Sequence, residues 1–484
     1  MTDKPSRATA EEIVRRLQAA GFSAFWVGGC VRDFLLGREP QDYDIATSAR
    51  PAQVEKLFKR TVGVGQKFGV MVVLEDKQPF QVATFRAEAD YQDGRHPDKV
   101  TFANAEADAQ RRDFTVNGLF YDPVTEKIHD WVGGEADLRA GIIRTIGVPE
   151  ERFAEDHLRL LRAVRFAAQL GFEIEPKTFA AIQRLAPKIS LISAERIRDE
   201  LIKLFAPPEP KRMNGLVDEW IGGESAPDVA LPIQPSINPT NHQSSAAAAR
   251  GLVLLLESGL LPGVLPELVA TLACEQSPDF HPEGTVFEHI RLMLEKMPPG
   301  APASLPWAVL LHDIAKPATA ELDPATGKIH FYGHEKVGAM LAERILTRLR
   351  FPKKEIEEIV ACVRQHMQFK DVKQMRKATL RRLLLRETFP LELELHRLDC
   401  LGSHGDLGHY EYLVEQAAEL EKKPSIRPPL LTGNDLIALG LKPGPALGAL
   451  LGEIRDKQLQ EELKTPRQAK AWVKSKLKGA DDTI

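Results

Sequence analysis

Cysteine is scarce and scattered. The 484-residue chain holds four (Cys30, Cys274, Cys362, Cys400), none in a CxxC pair, so neither a disulfide framework nor a zinc knuckle is expected. The thiols fit a reducing cytosol. Also missing is any run of about 18 uninterrupted apolar residues, the length that spans a bilayer. The most apolar stretch, 251–273, is broken by Glu257, Pro262, Pro266 and Glu267. The opening MTDKPSRATAEEIVRR has no apolar segment of a secretion signal. A cytoplasmic chain with no membrane partner is therefore expected. No sign of charge dominates either: 64 Lys and Arg face 68 Asp and Glu, a net charge of −4. That balance argues against a protein that coats nucleic acid non-specifically, while a local RNA-binding face stays open. What is present is an ordinary globular mixture, 43% hydrophobic and 27% charged, in a chain too long for one core. Two to four domains are expected.

Thr9, with Glu12 three residues later, reads as the N-cap of a helix over 9–20. FWVGGCVRDFLLG then reads as strand, glycine turn and helix, and IATS, VMVVLE and FQVATFR as short strands, so 1–145 is expected to form a mixed α/β domain. Leucines and alanines at three- and four-residue spacing make 146–205 a helical neck. Pro, Gly, Ser and Asn crowd 206–245, a linker or surface loop. Helical periodicity returns over 246–422, with breaks near 278–285 and 298–306, and a Pro-rich hinge precedes a last helical unit at 423–484. Two basic stripes stand out: Lys373, Arg376, Lys377, Arg381, Arg382 and Arg386, and the lysine-rich 464–478. There is no internal repeat.

Asp42 and Asp44 stand two apart in QDYDIAT at the start of an expected strand, where alternation turns both carboxylates to one face. Two hard oxygen ligands suit a Mg²⁺ ion bridging nucleotide phosphates. Alone, such a pair also fits a solvated turn. Upstream, Gly28 and Gly29 leave backbone that a phosphate can approach before a helix, with Arg32 able to clamp it; a Gly-Gly step alone is equally an ordinary tight turn. In EDHLRLLRAVR, Asp156, Arg159, Arg162 and Arg165 fall every third residue along one expected helix. An Asp offers acceptors and an Arg a rigid donor fork, a pair able to read a base edge.

The order VGGCVRDFLLG, DYDIAT, RRDFTVNGL (111–119) and RFAEDHLRLLRAVRF (152–166) resembles the class II tRNA nucleotidyltransferase and poly(A) polymerase family over residues 1–205. The resemblance implies a multidomain protein: an α/β polymerase-β-like head, then an all-α neck and body with RNA-contacting tail. It implies transfer of NMP from an NTP to an RNA 3′ hydroxyl without a template strand. Asp42 and Asp44 would be catalytic and hold Mg²⁺. Gly28, Gly29, Arg32, Arg111, Arg112, Asp113 and Asn117 would bind the nucleotide, Asp156 and Arg159 would select the incoming C or A, and Arg162 and Arg165 would contact nucleotide or phosphates. Two positions depart from the pattern. Gly118 stands where alanine is usual, and Gln81 where a third carboxylate is usual; an amide neither acts as a base nor binds a metal as strongly.

Residues 280–405 carry His289, His312-Asp313, His334, His366 and Asp399, each in a helical context. Any one such histidine fits a hydrogen-bonded core position. The order H…HD…H…H…D resembles the HD phosphohydrolase superfamily. Imidazoles with carboxylates suit a divalent transition metal, and an adjacent His-Asp pair can hold a metal that activates water. The resemblance implies that His289, His312, Asp313 and Asp399 bind a first ion (Ni, Mn or Fe) and that His334 and His366 complete a second site. Lys316, one turn beyond Asp313, is placed to neutralise a phosphate. Some nucleotidyltransferases of the first family carry such a domain, and TGNDLIALGLKPGPALGALL resembles the end of those fusions.

The expected activity is addition of CCA, or of its terminal A, to a tRNA or other RNA 3′ end from CTP and ATP, with release of pyrophosphate and an HD hydrolase activity beside it. CC-only addition ranks lower because FRAEADYQDGRHPDKVTF is uncut, and poly(A) polymerase because VGQKFGVMVV replaces a basic run. A metal-dependent HD phosphohydrolase with a weakened head is the alternative that Gln81 raises. A non-catalytic RNA-binding module is disfavoured, since both constellations keep most of their ligands. Oligomeric state has no signature in the sequence.

Overall fold

The computed structural model describes residues 6–63, 69–87, 102–208, 246–277, 281–422 and 428–481, with side chains to 477. The chain forms two compact units. One comprises Met1–Ala270, Met297–Ala301 and Arg348–Phe351; the other comprises Thr271–Lys296, Pro302–Thr347 and Pro352–Ile484.

The first unit is built on a seven-stranded sheet of β1 (Ala24–Val27), β2 (Ile45–Thr47), β3 (Thr61–Val62), β4 (Val70–Glu75), β5 (Gln78–Thr84), β6 (Phe120–Asp122) and β7 (Lys127–His129), in the order β3-β4-β5-β2-β1-β6-β7. The β2–β5 pair is parallel and the other pairs are antiparallel, the mixed α/β sheet expected of the head. Period-two alternation is clear on β5, where Phe80, Val82 and Thr84 are buried and Gln81 is exposed. Trp26 and Phe80 fill the core on one face of the sheet, and Phe85 and Phe120 on the other. The helix Arg7–Ala19 buries Ala10, Ile13, Val14 and Leu17, a 3.6-residue stripe, but it starts earlier than the Thr9 cap expected. Ser6 is the N-cap and accepts the Thr9 amide, while the Thr9 hydroxyl donates to Asp76 Oδ2 at 3.0 Å.

The neck follows as the helices Pro149–Glu155, Leu158–Leu170, Pro176–Leu185 and Ala194–Leu204. Leu158–Leu170 is buried nearly all round because Ala194–Leu204 and the helix Ala247–Glu257 both pack on it. That packing corrects the expected boundary at 246: residues 246–270 belong with the first unit. Gly251 makes the approach feasible, since a Cβ there would sit 2.5 Å from Leu204 Cδ1. Of the expected linker, 209–245 lies outside the described residues.

In the second unit the helix Leu305–Leu311 is buried at every residue, surrounded by Val286–Glu295, Lys353–Gln365 and Phe389–Gly402. The tail helices Gly433–Ala438, Pro445–Leu459 and Pro466–Asp481 enclose their own core of Leu436, Leu450, Ile454, Leu463, Ala469 and Val473. Half of the first basic stripe is spent on holding that tail. Lys377 Nζ lies 2.7 Å from Glu461, Arg381 donates to Leu459 O at 2.7 Å, and Arg382 pairs with Asp456.

Candidate active sites

The first candidate site lies at the mouth of the turn between β1 and the helix Gly29–Leu35. Gly28 has φ of 74°, a left-handed conformation that favours glycine, with the flexible end of the Arg112 side chain close by. Asp42 and Asp44 lie immediately before β2, Asp42 exposed and Asp44 partly buried, and the Asp44 carbonyl accepts the Val27 amide at 3.0 Å. Desolvation, then the charge of Asp42, push the Asp44 carboxyl up to about 6 despite Arg112 nearby. Two crowded carboxylates with so little compensation fit a cation. The β2–β5 register, Ile45 opposite Val82, sets Gln81 beside Asp44 on the neighbouring strand. The position that departs from the family pattern therefore belongs to the same site.

From the glycine turn a connected polar chain runs into the neck. Arg32 Nη1 donates to Asn117 Oδ1 at 2.8 Å, Asn117 Nδ2 donates to Asp113 Oδ1 at 3.1 Å, and Asp113 Oδ2 accepts Arg162 Nη2 at 2.6 Å and Nε at 2.8 Å. Burial alone would raise Asp113, but the Arg162 guanidinium, Asn117 and the Phe114 amide together hold it down at about 2. Arg111 and Arg112 both close on buried Asp108, at 2.6 and 3.1 Å.

The expected single helix carrying Asp156, Arg159, Arg162 and Arg165 is broken. Pro149–Glu155 stops at Asp156, which has extended backbone (φ −150°, ψ 103°), and its Oδ1 accepts the Leu158 amide at 3.0 Å, turning the chain into Leu158–Leu170. Asp156 Oδ2 is held by Arg196 at 2.7 Å, and Arg159 by Glu155 at 2.5 Å and by the Arg152 carbonyl. Asp156, Arg159 and Arg162 are partly exposed beside the polar chain. Arg165, expected at nucleotide or phosphates, instead turns inward: it is buried, 2.6 Å from Glu200 and stacked on Phe166. The reason is helical pitch, since three-residue steps rotate off the face within two turns. Reasoning from sequence missed Asp108, Arg196 and Glu200. Asp108 had a usable signal, three and four residues before two arginines; the other two meet the site only through packing.

The second candidate site sits at the C-terminal end of Leu305–Leu311. His312 follows the helix directly, His289 comes from Val286–Glu295, His334 opens His334–Arg348, His366 closes Lys353–Gln365 and Asp399 comes from Phe389–Gly402. The structure brings all six expected residues together. Among the described residues, His289, His312 and Asp313 form one set whose ligand atoms lie within 4.8 Å, and Asp313, His334 and His366 another.

Nδ1 of His312, His334 and His366 lies 2.7–2.8 Å from the carbonyl of the residue three earlier. With that nitrogen donating, Nε2 presents a lone pair. His334 Nε2 and His366 Nε2 then face each other at 3.1 Å, with Asp313 Oδ1 3.4 and 3.7 Å away. His312 Nε2 is buried with no hydrogen-bond partner, 3.2 Å from Asp313 Oδ2, and His289 Nε2 is 3.1 Å from Asp399 Oδ1. Facing lone pairs and orphaned buried nitrogens beside carboxylates fit divalent cations. Burial opposes ionisation of Asp313, but His312 and Lys316 hold it far below the carboxylate range. Lys316 Nζ lies 2.7 Å from Asp313 and 2.6 Å from Gln276 Oε1.

The family described as "Poly A polymerase head domain" matches residues 24–144, "Probable RNA and SrmB- binding site of polymerase A" matches 171–219 and "HD domain" matches 284–401. The CCA-adding enzyme of Lactiplantibacillus plantarum is 48% identical over 202 residues, 42% of this chain and 49% of that protein. The matches to it and to the Latilactobacillus sakei and Enterococcus faecalis enzymes span about half of those proteins' length. The A-adding tRNA nucleotidyltransferase of Deinococcus radiodurans is 32% identical over 463 residues, 92% of this chain and 94% of that protein. The crystal structure of the Bacillus stearothermophilus CCA-adding enzyme in complex with CTP is similar over 100% of both chains, with TM-score 0.67 and 26% identity. With a relative aligned almost end to end and the four head motifs meeting at one place, the chain belongs to the class II tRNA nucleotidyltransferase family, with a fused HD domain.

Proposed function

We propose that this chain is a cytoplasmic, template-independent nucleotidyltransferase that adds CCA, or its terminal A, to the tRNA 3′ end from CTP and ATP. The observation that carries this reading is the chain Arg32–Asn117–Asp113–Arg162. It ties the glycine turn beside Asp42 and Asp44 to the neck segment presenting Asp156 and Arg159. Similarity to A-adding and CCA-adding enzymes supports it. Asp42 and Asp44 would hold Mg²⁺, which when bound neutralises charge on the phosphates during in-line displacement. The 3′ oxygen–phosphorus bond forms as the α–β anhydride breaks and pyrophosphate leaves. Asp156 and Arg159, kept in place by Arg196 and Glu155, offer acceptors and a donor fork to the base edge. Gln81 can hydrogen-bond beside Asp44 but takes no proton, which leaves metal binding to the two aspartates. The test is incubation with CTP and ATP of tRNA ending at the discriminator base, at C and at CC, with sequencing of the products. CCA on the first substrate, or A only on the last, supports the two forms of the reading; no incorporation on any of them removes it.

We further propose that the HD site is a metal-dependent phosphohydrolase acting on a cyclic or terminal phosphate at an RNA or nucleotide end. His289, His312, Asp313 and Asp399 would hold one divalent transition ion (Ni, Mn or Fe), and His334 and His366 with Asp313 a second. Such an ion supplies a water of lowered pKa. Lys316, 2.7 Å from Asp313, would meet the phosphate. Hydrolysis of 2′,3′-cyclic nucleotides and 3′-phosphorylated RNA, present in the full chain and absent from His312→Ala and Asp313→Ala, is the expected result.

A further inference from the structure

The first basic stripe divides at Arg376. Residues 364–386 hold eight basic side chains and one acid, Asp371. Beyond Arg376 the cations are spent within the fold: Lys377 and Arg381 on Glu461, Arg382 on Asp456 and Arg386 on Glu392. Up to Arg376 they are not. Arg364, Lys370, Lys373 and Arg376 are exposed and form no ion pair among the described residues. The Lys373 ammonium lies by Gly408, where a Cβ would sit 3.5 Å from it, without closing on Asp406. This group belongs to the segment that starts at His366 of the HD cluster. His366–Gln374 is a 3₁₀ helix, in which side chains three apart eclipse. His366, Phe369 and Val372 make the buried column, and Phe369 and Val372 pack with Leu380, Phe389 and Leu413. Met367, Lys370 and Lys373 make an exposed column one residue along. The burial period survives Asp371, whose backbone leaves the helical region (φ −114°, ψ 17°). With the His366 imidazole turned in toward His334 and Asp313, the column beside it faces out, and Arg364 and Arg376 flank it in sequence.

We propose that Arg364, Lys370, Lys373 and Arg376 form an RNA-backbone surface that leads a single-stranded end into the HD site, so that an RNA end, rather than a free nucleotide, is its preferred substrate. The proposal rests on reading the HD site as a phosphohydrolase and commits that reading to one substrate class. A free nucleotide brings its charge to the metal ligands and Lys316, and leaves cations outside the cluster unused. Four exposed cations against one acid, in a chain whose net charge is −4, suit a polyanion. A single strand supplies such a charge row whatever its sequence, and cations beside a site track its backbone. The split of the stripe gives the same answer. The half that meets the tail finds carboxylates there, while the half continuous with His366 keeps its charge for a partner that is not part of the chain.

The test uses the full chain with Mn²⁺ or Ni²⁺ and two substrates, a 2′,3′-cyclic mononucleotide and an RNA oligonucleotide with the same cyclic end. The wild type should show the higher kcat/KM on the RNA, falling as salt rises. Lys370→Ala with Lys373→Ala should lose about 10-fold on the RNA and stay within about twofold on the mononucleotide. The slope of log kcat/KM against log salt on the RNA should flatten by about 0.7 for each lysine removed. Lys370→Arg with Lys373→Arg keeps the charge and should keep the RNA rate. Full RNA activity in the alanine variant overturns the proposal and would leave an acidic protein as the occupant. An equal loss on both substrates overturns it too, by making the lysines supports of the cluster. So does a loss confined to nucleotide addition, which would assign them to the head. A photoreactive nucleotide beside the RNA end gives a readout that needs no hydrolysis, and its crosslink should map within 364–376. Crosslinking there without hydrolysis of either substrate would remove the phosphohydrolase reading and keep the RNA surface. Hydrolysis of the RNA with crosslinks only elsewhere would do the reverse.

Discussion

Asp42 and Asp44 are the residues on which nucleotide addition should depend most steeply. Each contributes charge to the ion that would stabilise the displacement, and neither is part of the buried core. Asp42→Ala and Asp44→Ala should each lower incorporation by about 10³-fold or more while leaving the melting temperature within about a degree. Near-normal incorporation by both would remove the assignment. The Asp44 carboxyl, raised to about 6, adds a pH dependence. Below that value it is protonated, so Mg²⁺ affinity should fall as pH drops through 6 and level off above it, which a Mg²⁺ titration of activity at pH 5.5 and 7.5 would read. Asp113 has the opposite sign. Its folded value of about 2 lies below the ordinary 3.8, so its ion pair with Arg162 stabilises the fold above pH 4, and that contribution is lost as pH falls toward 2. Asp113→Ala leaves Arg162 and Asn117 without their acceptor and should cost on the order of 2–4 kcal/mol in denaturant unfolding.

At the scale of elements, the break at Asp156 decides which side chains of the neck can meet a nucleotide. A continuous helix would have carried all four charged residues along one drifting stripe. The extended residue lets Asp156 face out, supported across the packing by Arg196 on Ala194–Leu204. Arg196→Ala should therefore blur the ratio of CTP to ATP to GTP to UTP incorporation more than it lowers the total rate, as should Arg159→Ile. An unchanged ratio with a uniformly slower rate would make these residues phosphate contacts only. In the second unit, Arg381 joins Lys377–Leu384 to the tail through Leu459 O and Glu461. Arg381→Ala should speed hydrogen exchange in Pro445–Leu459 while leaving Phe389–Gly402 protected, because that helix packs on Val286–Glu295, Leu305–Leu311 and Lys353–Gln365.

Across the whole molecule, the two candidate sites are assembled in different compact units, each from residues of its own unit. His312→Ala with Asp313→Ala should then abolish metal uptake at the HD cluster and leave addition by the head within about twofold. Chelation should stop both activities, with Mg²⁺ restoring nucleotide addition and Mn²⁺ or Ni²⁺ needed for hydrolysis. Addition that falls in step with the HD double variant would show that the units are coupled. Among the described residues no helix is long and apolar enough to cross a membrane.

Local signals carried far along this chain. Short β-branched runs pointed to β4 and β5, 3.6-residue stripes pointed to the neck helices, and the motifs GGCVRD, DYD, RRD and EDHLR pointed to a head site because such chemistry depends on residue type and short spacing. The six HD residues were legible for the same reason, as donor types recurring in a fixed order on helices. Packing decided the rest. Helix Ala247–Glu257 joined the neck because Gly251 lets it touch Leu204. Arg165 turned to Glu200, and half of the first basic stripe paired with the tail. Arg196 and Glu200 entered the first site from a helix whose own sequence gives no hint of a partner. A pairwise contact across 35 or 40 residues is set by how helices stack, and the free energy that selects it belongs to the folded whole rather than to any segment.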